Sequence, residues 1–173
     1  MSDDVVSARI AAQTQNLERI NSWINNADAK VGAVLAFDVA LLAYLGTLAG
    51  KVKAITNDET LSWEPIILYV ALSLYGICLA SALYFALRAL FPDIRARAPS
   101  PFFFGSISRM DHHQFADQAK SLSPQGIEDA LIEQVHTNST IATAKFENLR
   151  IATYLSLAGL IFWVASILLA FGL

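Results

Sequence analysis

The sequence predicts an all-α membrane protein: three transmembrane helices with a small helical cytoplasmic domain formed by the N-terminal helix and the segment between spans two and three. Three observations predict it. Hydrophobic residues make up 55% of the 173-residue chain and charged residues 16%, against roughly 25% charged in a soluble domain. The apolar excess is gathered in three long blocks, which points to a bilayer and not to a large aqueous core. Lys and Arg are shared unequally among the segments that flank those blocks, as they are around membrane spans.

Residues 1–30 are expected to form a cytoplasmic amphipathic helix. From Val5 to Lys30 there is no Gly or Pro, and Ile10, Leu17, Ile20 and Ile24 recur at helical spacing, a stripe that Trp23 is expected to widen. The segment is polar and carries Asp3 and Asp4, so no cleavable signal peptide is expected. No strong breaker separates this helix from the first span, and the two are expected to be continuous.

Residues 31–50 are assigned to the first transmembrane helix, with one charge, Asp38. Residues 51–64 form a short external loop, and 65–91 the second span, free of charge until Arg88. Residues 92–150 form the cytoplasmic helical segment. The chain is expected to turn at Pro92, to be non-helical from Ala98 to Pro101, and to form a short helix between Met110 and Leu122. A new helix starts at Ser123–Pro124, a capping residue followed by proline in the first turn. Ile127, Leu131, Val135, Ile141 and Leu149 give it a loose apolar stripe leading into the third span, residues 151–173. Read as one helix from Pro124 to the C-terminus, it is roughly 75 Å long at 1.5 Å per residue. Trp63, Tyr69 and Tyr154 stand near the block ends, where interfacial aromatic rings are favoured.

The segment before the first span holds Arg9, Arg19 and Lys30, and that between spans two and three holds Arg88, Arg95, Arg97, Arg109, Lys120, Lys145 and Arg150. The intervening loop has only Lys51 and Lys53, beside Asp58, Glu59 and Glu64. The positive-inside rule therefore puts the N-terminus and the middle segment in the cytoplasm and the C-terminus outside.

Span one and the turn before it carry small residues at Ala29, Ala33, Ala36, Ala40, Ala43, Thr47 and Gly50. Such a stripe suits close helix packing, within or between subunits. Asp38 lies on the opposite side, near Val34, Leu41, Leu42 and Leu45. An acid at this depth costs ~2.5–3.5 kcal/mol on insertion scales and should face protein or water. It either lines a pore or oligomer interface, or makes one hydrogen bond to a neighbouring helix, for instance to Ser73, Ser81 or Ser156.

The net charge of −3 gives no support to binding a nucleic-acid polymer. The single cysteine, Cys78, excludes an intramolecular disulfide and reads as a buried apolar residue. His112, His113 and His136 show no metal-ligand spacing, so no cofactor or metal is expected. No GxSxG, HExxH or glycine-rich phosphate loop occurs, and no enzyme is expected. More suggestive is the run of Arg95 and Arg97, then Phe102, Phe103, Phe104 and Gly105, then Arg109. Guanidinium groups hold phosphate bidentately and phenylalanines stack on bases. The same residues suit a juxtamembrane anchor, and by residue type alone the anchor or packing role fits better.

Four stretches, in order, carry a resemblance: INSWINNADAKVGAVLAFDVALLAYL, PSPFFFGSISRMDHHQFADQ, IEDALIEQVHTNSTIATAKFENLRIA and the final span. Within them stand Ala27 to Lys30, Phe103 to Gly105, and the series Asn138, Ser139, Lys145, Leu149 and Arg150. The chain resembles the transmembrane effector family of bacterial Pycsar anti-phage systems. The resemblance implies that a companion pyrimidine cyclase makes cyclic UMP or cyclic CMP, and that this effector answers by impairing the inner membrane in abortive infection. It implies a cyclic pyrimidine nucleotide as activating ligand and a homo-oligomer. Candidate phosphate ligands are then Arg95, Arg97, Arg109, Lys145 and Arg150, with Phe103 or Phe104 on the base, although no β-rich cyclic-nucleotide fold can be read here. The alternative is a small membrane adaptor or channel subunit whose cytoplasmic helices bind a partner protein.

Overall fold

The computed structural model describes residues 3–56, 63–91 and 102–171, apart from the side chains of 3, 44–56, 64, 104 and 171. All elements among the described residues are helices. Helix α1 runs Asp3–Thr56, α2 Glu64–Leu90, α3 Phe104–Ile107, α4 His112–Ser121 and α5 Pro124–Phe171. The amphipathic helix and the first apolar block are thus one unbroken helix, which also continues six residues into the segment read as an external loop. The turn at Pro92 and the non-helical stretch from Ala98 to Pro101 lie outside the described residues.

Local chemistry explains the helix ends. Pro65 stands in the first turn of α2, and Phe91 closes it by donating its backbone N–H to the Leu87 carbonyl. Asp111 caps α4 by accepting from the Gln114 N–H at 2.9 Å, while the Gln114 side chain accepts from the Asp111 N–H at 3.3 Å. At the head of α5 the Ser123 hydroxyl accepts from the Gly126 N–H at 3.1 Å, as the Ser-Pro signal predicts.

The chain divides into two compact units, Met1–Ala27 with Pro92–Lys145, and Asp28–Phe91 with Phe146–Leu173. In the first, α1 buries Val6 and Ile20 and half-buries Ile10, Gln13, Leu17 and Ile24. These positions alternate spacings of four and three, the pattern of a coiled-coil seam. Trp23 falls off this narrow seam and is 52% exposed, so it does not widen the buried stripe. In this unit polar contacts join α1 to α5 at Arg9 with Glu128 and at Asn21 with Asn138, separations of 119 and 117 residues. Residue numbers rise together on both helices, so α1 and α5 run parallel.

In the second unit the seam of α1 continues through Val31, Val34, Asp38 and Leu41. Val31 packs in one cluster with Ala86 and Ala89 of α2 and Leu149 and Ala152 of α5. Leu41 packs in another with Tyr75 and Leu79, flanked by Leu160 and Trp163. As α1 and α5 advance from the first cluster to the second, α2 runs backwards, so α2 is antiparallel to both.

Among the described residues two helices, Pro65–Leu90 and Pro124–Ala170, are long and apolar enough to cross a membrane. Only 28% and 22% of their most apolar windows are buried by protein, unlike the core helices of a soluble domain. Their outward faces carry Ile67, Val70, Leu74 and Ile77, and Leu157, Ile161, Val164 and Leu168, all exposed. A helix apolar on every side is at home in lipid. Residues 31–50 are helical throughout, but the side chains from 44 onward lie outside the description.

Candidate functional site

In the first unit Phe103 and Gly105 are fitted to each other. Phe103 is 5% exposed, and its ring edge lies where a side chain at Gly105 would have to go: a Cβ there would meet Phe103 Cε1 at 2.6 Å. Glycine is thus required by close approach of the ring. Ser106, one residue on, is also buried. A chain of amides links the helices: Gln134 Nε2 donates to Asn138 Oδ1 at 2.8 Å, and Asn138 Nδ2 donates to Asn21 Oδ1 at 2.9 Å. Gln134 is buried, so its partner satisfies a group that water does not reach. Glu128 is buried as well and receives Arg9 Nη1 at 3.5 Å.

In the second unit the distinctive group is Asp38, 1% exposed. Of the three partners weighed from sequence, the structure selects Ser156, whose hydroxyl donates to Asp38 Oδ2 at 3.0 Å. The same hydroxyl lies 3.0 Å from the Ala152 carbonyl, so its one hydrogen has two acceptors. Asp38 Oδ1 has no hydrogen-bond partner among the described residues, and neither has the hydroxyl of Tyr75, which is fully buried. An unpaired buried polar atom costs about 1–3 kcal/mol. Tyr75 sits one layer along from the acid: it clusters with Leu41, three residues beyond Asp38, and touches the Gly159 position, three beyond Ser156. Lys30 lies over the Phe146 ring at 5.9 Å, one layer in from the end of this unit.

The candidate ligand residues fall in both units or outside the described residues. Arg95 and Arg97 lie outside the described residues, as does the Phe104 side chain. Arg109 is exposed and Lys145 is buried, both in the first unit, whereas Arg150 is exposed in the second. Phe103 is occupied in the core, and stacking on a base would require it to leave Gly105. Ala33, Ala36, Ala40 and Ala43 are all exposed, so none of these four is buried by packing among the described residues, while the Thr47 and Gly50 positions lie outside the side-chain description. No group of three or more His, Cys, Asp or Glu side chains comes together among the described residues. Sequence reasoning missed Tyr75, Glu128 and the Gln134–Asn138–Asn21 chain. For Tyr75 a signal was present, a hydroxyl-bearing ring in the middle of an apolar block instead of at its end.

Comparison with known proteins decides the family. The model of the Pycsar effector protein domain matches residues 12–172, through both units. The chain belongs to the Pycsar effector family. The Pycsar effector protein PtPycTM of Propioniciclava tarda is 29% identical over 154 residues, covering 84% of this chain and 71% of the relative. GmPycTM of Gulbenkiania mobilis, also a Pycsar effector protein, is 26% identical over 152 residues, covering 76% and 78%. No solved structure matches. Family membership makes the chain an effector of anti-phage defence, and with its two apolar helices it is a membrane protein.

Proposed function

We propose that this Pycsar effector is switched on by a cyclic pyrimidine mononucleotide, cyclic UMP or cyclic CMP, and then impairs the integrity of the bacterial inner membrane. The observation that carries the reading is the family match over residues 12–172, which takes in the polar-bonded helical unit together with the apolar one. The first unit receives the messenger in the cytoplasm. Exposed Arg109, with Arg95 and Arg97, supplies guanidinium groups for the phosphate; Lys145, Arg150, Phe103 and Phe104 complete the set of candidates. A ligand shifts an equilibrium only by binding one state better, and the unbroken helices α1 and α5 belong to both units. The chain acts by binding and rearrangement and catalyses no reaction.

The proposal includes three spans, 31–50, 65–91 and 151–173, cytoplasmic segments 1–30 and 92–150, an external loop 51–64 and an external C-terminus. It also includes a homo-oligomer in the membrane. Titrating the purified full chain with cyclic UMP and cyclic CMP, against cyclic AMP, tests the ligand, with membrane potential read in vesicles containing it. Saturable binding of one pyrimidine nucleotide with loss of potential is expected; no binding of either would overturn the reading. Protease access to terminal tags tests the orientation, which a cytoplasmic C-terminus would refute.

A further inference from the structure

We propose that Asp38 is the moving contact of a switch inside the membrane-embedded unit: it is held by Ser156 in the state described and takes the hydroxyl of Tyr75 in the alternative state. The present arrangement leaves hydrogen-bonding capacity unspent on both sides of one layer. Asp38 Oδ1 and the Tyr75 hydroxyl are each buried and each without a hydrogen-bond partner among the described residues. One is an acceptor and the other a donor, so pairing them would remove both deficits together.

The contact Asp38 would leave is easily surrendered. The Ser156 hydroxyl already lies 3.0 Å from the Ala152 carbonyl, and would turn its hydrogen there on release. The distance to be covered is short. Leu41 and Gly159 place Tyr75 one turn beyond the Asp38–Ser156 layer, and displacement of one helix past another by up to a turn, about 5.4 Å, is a known bistable transition. On α5 the ring of Tyr75 meets the Gly159 position, where the helix presents no side chain, while Leu160 and Trp163 flank the cluster. Each state therefore has its own satisfied hydrogen bond, which is the requirement for two discrete arrangements of packed helices.

This switch rests on the reading that the spans respond to a messenger, but its test needs none. Full-length chain in phosphatidylethanolamine–phosphatidylglycerol vesicles is assayed for leakage of entrapped potassium without nucleotide. Ser156→Ala removes the resting partner and is expected to raise basal leakage by about fivefold or more. Tyr75→Phe removes the partner of the other state and is expected to leave basal leakage at or below wild type. Combined with Ser156→Ala it should restore the wild-type level. Ser156→Cys keeps the volume while weakening the donor, and must act in the same direction as Ser156→Ala. The proposal is overturned if Ser156→Ala and Ser156→Cys leave leakage unchanged, or if Tyr75→Phe fails to reverse their effect. Adding cyclic UMP or cyclic CMP to the same vesicles separates the two readings: a silent wild type sinks the messenger and leaves the basal comparison intact.

Discussion

Ser156 and Asp38 face each other across a layer that protein has closed to solvent, joined at 3.0 Å by one hydrogen that the Ala152 carbonyl also solicits. A buried acid bonded at one oxygen alone is a poor stabiliser. Its desolvation is incompletely offset, and the partner has an alternative acceptor. That combination separates Asp38 from an ordinary helix-to-helix hydrogen bond and bears directly on what its removal does.

Asp38→Leu is accordingly expected to leave stability unchanged or to raise it by about 1 kcal/mol, because it removes an unpaired buried oxygen and strands no donor. The response of the membrane should be lost nonetheless. Thermal unfolding of the full chain in detergent, beside leakage in vesicles, measures both. Destabilisation beyond about 2 kcal/mol would show that the acid is there to hold the fold.

Gly105→Ala should destabilise the first unit by about 1–3 kcal/mol, the usual cost of overpacking, since its Cβ would meet the Phe103 ring at 2.6 Å. In a Phe103→Ala background the clash disappears, and the same substitution should cost little. The two effects are thus strongly non-additive. Denaturant titration of the four proteins gives the coupling directly; additive losses would mean that the ring does not occupy the glycine's space.

Much of the architecture was legible because its causes are local or periodic. Absence of Gly and Pro from Val5 to Lys30 predicted an unbroken α1, and Ser123–Pro124 predicted the start of α5 at its observed residue. The seam was harder to read. Pattern alone admitted Trp23 to the buried stripe, yet a 3.5-residue repeat through Ile20 and Ile24 leaves no room for it, and that narrowness is imposed by the partner helix packed along the seam. The choice of Ser156 over Ser73 or Ser81 depends on the axial offset between α1 and α5, a tertiary quantity. For the segment around Phe103, residue type alone favoured an anchor or packing role over stacking on a base, and the ring lies buried against Gly105, two residues along the chain.

Asn138→Leu should cost the first unit about 1–3 kcal/mol, because it strands the buried Gln134 amide as well as removing the bond to α1. Asn21→Ala cuts the same chain at its exposed end, where water replaces the lost acceptor, and should cost less than about 1 kcal/mol. Unfolding of both variants tests the asymmetry. Equal losses would place the energetic weight on the link between helices and not on the buried amide.

The last expectation concerns α4, which half-buries Phe115, Ala116 and Gln118 but buries no residue fully, so its capping box matters to it. Asp111→Ala removes the side-chain half of the capping box and should weaken the helix by about 0.5–2 kcal/mol. Gln114→Ala removes only the longer, 3.3 Å reciprocal bond and should do less. Amide hydrogen exchange resolves the two. In Asp111→Ala the amides of α4 should exchange several-fold faster while those of α5 keep their protection, since the cap acts on one short helix. Faster exchange in α5 as well would show that α4 is needed for the packing of the whole first unit.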